Sequence, residues 1–490
     1  MTMTRGLIAA LLAMSSWMTP ADAQDRRTAV EVRATRDLVT TIHGRTLAYT
    51  AEVGLVPVSS RPGTTDATAG YISYSVAGPT VRPVMFIFNG GPGAASAYLQ
   101  MGALGPARAR VPQDPAAMLP MAAPVDANPQ APLDLVDLVF LDPPGTGFST
   151  IDAKADRTFY QSVTGDADAV SQLARAWLAA HGRTNAPIYI LGESYGTIRA
   201  AAMVDALRAQ DPALKLRGVV LLGQALNMIE TSQRPDNIVT YPVSLPTLAA
   251  IACYHRKRST PCDPAASARE AAAYGPIYLD ALYRGQALDT AMRDAVATKL
   301  ETLSGIPKTY YIAHDLRISK EQFRVELLRA EGKVLGRYDA RYTAPRAAGA
   351  GDSVGPDAFS PVSELYGKAI IDHLATIGVS DAAAYKVIVR GEGDWRYGAG
   401  DSPFNDWPFM ARLEKAMAAT PGLRLFVGTG LFDLTTTVGA ADYLFAQSSL
   451  APARYRNERY PAGHVFYSDD VSWRKLMRDL RAFVADGAPR

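Results

Sequence analysis

A serine framed by glycines, a later aspartate and a still later histidine are the residues of this chain that can combine into nucleophilic chemistry. Ser194 stands at the centre of Gly192-Glu193-Ser194-Tyr195-Gly196. A serine hydroxyl is a weak nucleophile until a base takes its proton, and its oxygen must stand clear of the backbone for a carbonyl carbon to reach it. A sharp strand-to-helix turn gives that exposure, and small flanking residues let the chain bend so tightly. The pentapeptide alone reads equally well as a plain Gly/Ser turn. The base must be a histidine, held in one tautomer by a carboxylate. Of six histidines, His464 alone follows the last strand-like run and precedes the last helix, in Pro461-Ala462-Gly463-His464. His43, His181, His255, His314 and His373 lie earlier and read as surface or packing residues. Asp433 is the acid, because it ends Thr429-Gly430-Leu431-Phe432-Asp433 directly after the apolar run Arg424 to Gly428. Asp401, Asp406, Asp442, Asp469 and Asp470 close no such run. Three placements in the order nucleophile, acid, base are more specific than any one of them.

Such a site also needs donors for the oxygen that gains charge in the transition state. The backbone N–H of Tyr195, next after the nucleophile, is one. The other is that of Gly91, in Asn89-Gly90-Gly91-Pro92-Gly93, where glycines after the apolar run Val84 to Phe88 let backbone approach a ligand closely.

The elements that must hold these residues follow from hydrophobic pattern. Val84 to Phe88, Leu135 to Leu141, Pro187 to Leu191, Gly218 to Gly223 and Arg424 to Gly428 are short apolar runs of the kind that fill strands buried on both faces. Between them lie helical patterns. Val170, Leu173, Ala174, Trp177 and Leu178 fall on one helix face, as do Trp473, Leu476, Met477, Leu480, Phe483 and Val484 at the end of the chain. Tyr71 to Val76 alternates like a half-buried strand, and Leu47 to Val58 is a β-like run broken at Gly54, so residues 28–80 predict antiparallel hairpins at one sheet edge. Residues 111–133, rich in Pro, Ala and Asp, read as a surface loop. Apolar strands alternating with helices predict a mostly parallel central sheet flanked by helices, and the order Ser194, Asp433, His464 on such a sheet resembles the α/β-hydrolase fold. Residues 24–226 form its first part with the nucleophile turn. Residues 227–384, mainly helical, form a cap insertion over the edge where loops hold ligands, and 385–490 carry the acid and the base.

Composition narrows the setting. A net charge of +2 with scattered Lys and Arg predicts no nucleic-acid partner, and the block His255-Arg256-Lys257-Arg258 reads as a solvated loop. Arg5, the apolar stretch Gly6 to Met18 and Ala21-Asp22-Ala23 form a signal peptide over residues 1–23, with cleavage before Gln24. The mature chain is then exported, periplasmic or secreted, and held by no membrane. In that compartment Cys253 and Cys262, the two cysteines present, are candidates for a short disulfide. No metal or organic cofactor is required. The chain is expected to act as a monomer or a homodimer.

Asn89-Gly90-Gly91-Pro92-Gly93, Leu104-Gly105-Pro106, the Asp142 to Ser149 segment, Gly192-Glu193-Ser194-Tyr195-Gly196, Gly428 to Asp433 and Gly463-His464 together resemble the serine carboxypeptidases, and most closely their bacterial, exported members. The resemblance runs from about residue 45 to the C-terminus. It implies that single amino acids are removed from peptide C-termini through Ser194, His464 and Asp433, best at acidic pH. It also implies that Asn89 and Glu193 hold the substrate's terminal carboxylate. Three positions depart from the family pattern. Ile87 stands where Trp is common, Ala103 where Glu is common, and Ala94 where Cys often follows. The first two thin the carboxylate grip, which leaves an esterase or acyltransferase using the same three residues as the alternative. A non-catalytic binding protein on the same scaffold would lack one of the three, and none is lacking.

Overall fold

The structure, a computed structural model, describes residues 30–78, 81–226, 233–256, 261–347, 349, 351–389, 395–398 and 407–487. The segment expected to be a signal peptide and the aspartates Asp401 and Asp406 lie outside the described residues. In chain order the strands are β1 (Glu31–Ile42), β2 (Arg45–Val58), β3 (Ala67–Ser75), β4 (Val84–Phe88), β5 (Ala107–Ala109), β6 (Val125–Ala127), β7 (Asp137–Asp142), β8 (Thr150–Ile151), β9 (Pro187–Glu193), β10 (Lys215–Leu222), β11 (Lys333–Leu335), β12 (Thr343–Pro345), β13 (Arg424–Gly430) and β14 (Tyr455–Tyr460). Ten of them form one sheet in the order β1-β2-β3-β7-β4-β9-β10-β13-β14, with β8 added beside β3. β5 pairs with β6, and β11 with β12, as small separate ribbons.

The pairing divides the sheet in two. β1, β2 and β3 run antiparallel to one another, and β3 antiparallel to β7. From β7 onward every neighbour is parallel. Parallel neighbours need crossovers, and the helices that make them cover both faces, so β4 is apolar throughout and β7 is apolar between its two terminal aspartates. Successive side chains go to opposite sides. Val84, Phe86 and Phe88 join a core with the helices Val163–Ala180, Tyr195–Gln210 and Phe409–Ala419, while Met85 and Ile87 join a second core under the helix Asp470–Asp486. That last helix buries the whole stripe Trp473, Leu476, Met477, Leu480, Phe483 and Val484. At roughly 1.5–3 kcal/mol per buried large apolar side chain, the stripe alone contributes on the order of 10 kcal/mol before chain entropy is set against it. Asp469 caps the helix by accepting from the Ser472 N–H at 2.8 Å. A doubly covered, mostly parallel sheet with this strand order is the α/β-hydrolase fold.

β2 is not broken at Gly54. It runs through that residue because Tyr71 of β3 lies directly opposite and its ring covers the glycine; a Cβ at Gly54 would stand 2.4 Å from the Tyr71 hydroxyl. The glycine makes room for an aromatic ring across the pair rather than ending the strand.

Between β10 and β13 the chain leaves the sheet. The helices Thr240–Arg256, Pro264–Arg284 and Thr290–Ser304 build a third core of their own, which also takes in Leu431, Phe432, Leu434 and Val438 from the segment after β13. Cys253 and Cys262 are joined by a disulfide between the end of the first of these helices and the start of the second. The helix Ser360–Ile377 packs elsewhere, in the core under Asp470–Asp486, so residues 227–384 do not share one core.

Candidate active site

Six parallel strands point their C-terminal ends the same way, and the predicted nucleophile, acid and base follow three of them. Ser194 comes directly after β9, Asp433 after β13 and His464 after β14. Ser194 has φ 58° and ψ −129°, a conformation that side-chain-bearing residues avoid and that costs on the order of 1–3 kcal/mol. The flanking glycines are required by contact. A Cβ at Gly192 would lie 2.1 Å from the Gly196 carbonyl oxygen, and one at Gly196 would lie 2.9 Å from that of Asn89. The elbow is pinned to the next strand by the Ser194 N–H, which donates to the Leu222 carbonyl at 2.9 Å.

His464 is buried, and its Nδ1 lies 2.6 Å from Asp433 Oδ2. Asp433 is itself saturated. Oδ1 accepts the N–H groups of Thr435 and Thr436 at 2.7 and 2.9 Å, and Oδ2 accepts the Thr436 hydroxyl at 2.6 Å. Burial works against a charged His464 ring, but the Asp433 carboxylate more than offsets this and raises the pKa above its ordinary value. His464 Nε2 makes no hydrogen bond to any described residue, Ser194 Oγ included. The ring nevertheless lies beside the elbow. Gly223 follows Leu222, the elbow's anchor, and a Cβ on it would stand 2.8 Å from His464 Cε1.

The glycine-rich loop after β4 meets the elbow from the other side. A Cβ on Gly90 would lie 2.6 Å from both the Glu193 carbonyl oxygen and the Tyr195 nitrogen. Gly91, next in the chain, has φ 103°. Tyr195 opens the helix Tyr195–Gln210, where a backbone N–H has no partner within the helix.

Asn89 and Glu193 are both buried and touch. Asn89 Oδ1 accepts the Leu99 N–H at 3.0 Å, which turns its Nδ2 to donate to Glu193 Oε2. Tyr467 donates its hydroxyl to the same oxygen at 3.2 Å. Burial pushes the Glu193 carboxyl up to about 7, with His464, Tyr467 and Asn89 pulling the other way. Ile87 and Ala103 offer Glu193 no polar group. Ile87 packs in the core under the last helix, and Ala103 is buried in the short π-helical turn Gln100–Leu104.

Several supporting residues carry no signal in the sequence pattern. Arg199 on the elbow helix is fully buried. Its Nε pairs with Asp166 Oδ2 at 2.7 Å and its Nη1 donates to the Asn89 carbonyl at 2.6 Å. The Tyr195 hydroxyl donates to the same Asp166 oxygen at 3.0 Å. This network ties the Asn89 loop to the elbow helix. A lone arginine among the small and apolar residues Thr197 to Val204 was the one available hint. From the excursion, Asp339 Oδ2 accepts the Gly463 N–H at 3.0 Å, and the Tyr338 carbonyl accepts the His464 N–H. Lys320, also from the excursion, is buried and donates to the Thr435 carbonyl at 3.3 Å; burial lowers its pKa to about 8 while Asp433 raises it.

The competing residues have other partners. Asp442 pairs with Arg459, Asp469 caps the last helix and pairs with Arg341, and Asp470 pairs with Arg108. His181 pairs with Glu52 at 3.0 Å and stacks on Trp177. His255 contacts the Ala340 carbonyl, His314 stacks on Tyr310, and His373 meets the Tyr74 hydroxyl at 2.8 Å. His43 sits in the β1–β2 turn at φ 48°. Among the described residues no three or more His, Cys, Asp and Glu side chains are gathered in a way that can hold a metal ion, and no helix is long and apolar enough to cross a membrane.

Comparison with known proteins gives one family. Residues 67–241 match the family model of the serine carboxypeptidases. The matched stretch contains the Asn89 loop and the Ser194 elbow and stops short of Asp433 and His464. No curated protein sequence matches the chain. Among solved structures the chain is similar to a proline iminopeptidase from Mycobacterium smegmatis, 13% identical, covering 92% of this chain and 98% of that one, with a TM-score of 0.34. It is also similar to a soluble variant of monoglyceride lipase from Saccharomyces cerevisiae (11% identity, 89% and 96% coverage, TM-score 0.39). A third is a thermostable carboxyl esterase from Bacillus coagulans (13%, 92% and 98%, 0.36).

Proposed function

We propose that the protein is an exported serine carboxypeptidase that releases C-terminal amino acids from peptides through an acyl-enzyme. Ser194 Oγ attacks the carbonyl carbon of the last peptide bond while His464 Nε2 takes its proton. Asp433 holds the Nδ1–H tautomer and stabilises the imidazolium that results. The N–H groups of Tyr195 and Gly91 receive the oxyanion, a contribution on the order of 10²–10³ in rate for each donor. His464 then returns the proton to the departing amine. Water, activated by the same histidine, frees the acyl group from Ser194.

The observation that carries the reading is the buried contact between Glu193 and Asn89, one residue from the nucleophile. A carboxyl held neutral by burial can donate to a peptide's free carboxylate, which an ionised one would repel. Export is supported by the cleavable-looking N-terminal segment and by the Cys253–Cys262 disulfide, a bond that persists in oxidising compartments.

Ile87 and Ala103 favour a second reading. With no further polar group beside Glu193, the same three residues can serve an esterase or acyltransferase. Mass spectrometry of a peptide mixture incubated with the mature protein at several pH values separates the two. Stepwise loss of C-terminal residues is expected. Intact peptides alongside cleaved short-chain esters would replace the first reading with the second.

A further inference from the structure

Tyr467 lies three residues beyond His464, in the short turn Phe466–Ser468. Its ring rests against Gly102, where a Cβ would come within 2.5 Å of a ring carbon, so it reaches Glu193 only because that position is glycine. Its hydroxyl and the Asn89 amide both donate to Glu193 Oε2. Glu193 Oε1 is buried and has no hydrogen-bond partner among the described residues. The two oxygens are therefore inequivalent. An oxygen that accepts two donors is poorly placed to carry a proton as well, so the proton of a neutral Glu193 belongs on Oε1.

We propose that Tyr467 is the positioning residue that turns Glu193 into a directed donor for the free carboxylate at a peptide's C-terminus. The inference rests on the carboxypeptidase reading above and names the part of the site that replaces the polar groups missing at Ile87 and Ala103. With Oε2 occupied by Tyr467 and Asn89, the carboxylic O–H of Glu193 points from Oε1 to the ligand. An O–H donating to a carboxylate is charge-assisted and roughly twice as strong as the same bond to a neutral amide, which gives preference for a free terminus. A phenol suits the task better than a second carboxyl, because its O–H, with an ordinary pKa of about 10, keeps its proton where a carboxyl would lose it. Burial and the neighbouring Glu193 keep the Tyr467 hydroxyl protonated well past its ordinary range. The other groups that act on Glu193 are His464 and Asp433 by charge, with the hydroxyls of Tyr98, Tyr338 and Tyr366 nearby.

The test compares one peptide as its free acid and as its C-terminal amide, with the full mature chain and its Tyr467→Phe variant, from pH 5 to pH 8. The wild type should prefer the free acid. The variant should lose about tenfold of that preference, the equivalent of one hydrogen bond to a charged group, and lose it in KM rather than kcat. The alkaline fall in free-acid hydrolysis should move to higher pH, since the phenol favours the ionised carboxyl and its removal favours the neutral one. In a Glu193→Ala background, where there is no group left to position, Tyr467→Phe should change the preference no further. A variant that keeps the wild-type preference and pH profile overturns the role of Tyr467. A wild type that turns over acid and amide alike overturns the carboxypeptidase reading itself, a different result on the same plate.

Discussion

Asp433 Oδ2 sits 2.6 Å from His464 Nδ1, while the opposite nitrogen of the same ring is left without a partner among the described residues. The carboxylate end is fully built, with three donors from Thr435 and Thr436 fixing the acid. The open end is the nitrogen that the proposed mechanism needs free to take the Ser194 proton. Catalytic hydrogen bonds are commonly long in the free enzyme and tighten only around substrate.

Asp433→Asn should therefore preserve the fold and remove the chemistry. An amide can still accept from the threonine N–H groups, but it can hold His464 in the wrong tautomer. A fall in kcat of about 10³–10⁴ is expected, with a matching slowing of fluorophosphonate labelling at Ser194. Labelling at the wild-type rate would remove Asp433 from the mechanism.

Activity on free-acid peptides should follow a bell in pH whose two sides have separate owners. His464 must be neutral to take a proton, and its raised pKa brings the acidic fall to higher pH than an isolated histidine would give. Glu193 must be protonated to receive a carboxylate, and its pKa near 7 sets the alkaline fall. Glu193→Gln should abolish the alkaline side for KM. The same substitution bears on stability. The folded state holds the Glu193 proton between its ordinary value of 4.5 and about 7, where the unfolded chain has lost it. Wild-type stability thus declines across that window as pH rises. The melting temperature of Glu193→Gln should gain on wild type between pH 5 and pH 8, and a constant gap would contradict the assignment.

Ser194→Gly and Ser194→Ala should both be inactive yet differ in stability. Alanine keeps the Cβ that resists φ 58°, whereas glycine adopts that conformation freely. A gain of about 1 kcal/mol is expected for glycine over alanine in denaturant unfolding. Equal stabilities would show that the elbow stores no strain.

Breaking the Arg199–Asp166 pair at one end should be worse than removing both ends. Arg199→Met leaves the buried Asp166 carboxylate with the Tyr195 hydroxyl but without its cation, at a cost of roughly 3–5 kcal/mol, and removes the Arg199 bond to the Asn89 carbonyl. The double variant Arg199→Met with Asp166→Leu should recover much of that stability without recovering activity. Full activity in the double variant would show that the pair supports the fold alone.

Much of this was legible before any coordinates. The apolar runs that became β4, β9 and β13 announced themselves because parallel strands buried on both faces admit few polar residues, whereas β14, at the open edge of the sheet, is half-buried and mostly polar. The ends of those strands then located Ser194, Asp433 and His464, since loops at one sheet edge are the only segments free to hold chemistry. Gly54 misled because a glycine in a strand signals a break unless one knows that Tyr71 lies opposite. Tyr467, Arg199 and Asp166 were illegible for a related reason. Their partners are tens or hundreds of residues away, and no local period encodes a hydrogen bond made only once the sheet is assembled. Lys320 and Asp339 were hidden inside an excursion whose helices could be read but not placed.

The excursion holds Gly463 through Asp339, the His464 backbone through Tyr338 and the Asp433 turn through Lys320. Acid and base are thus gripped by a segment with a core separate from the sheet's. If that segment loosens as a unit of its own, as partly independent cores do, the sheet remains intact while the catalytic pair loses its alignment. The molecule then has two lifetimes, a shorter one as an enzyme and a longer one as a folded protein, and heat or a protease reaching the excursion ends the first well before the second.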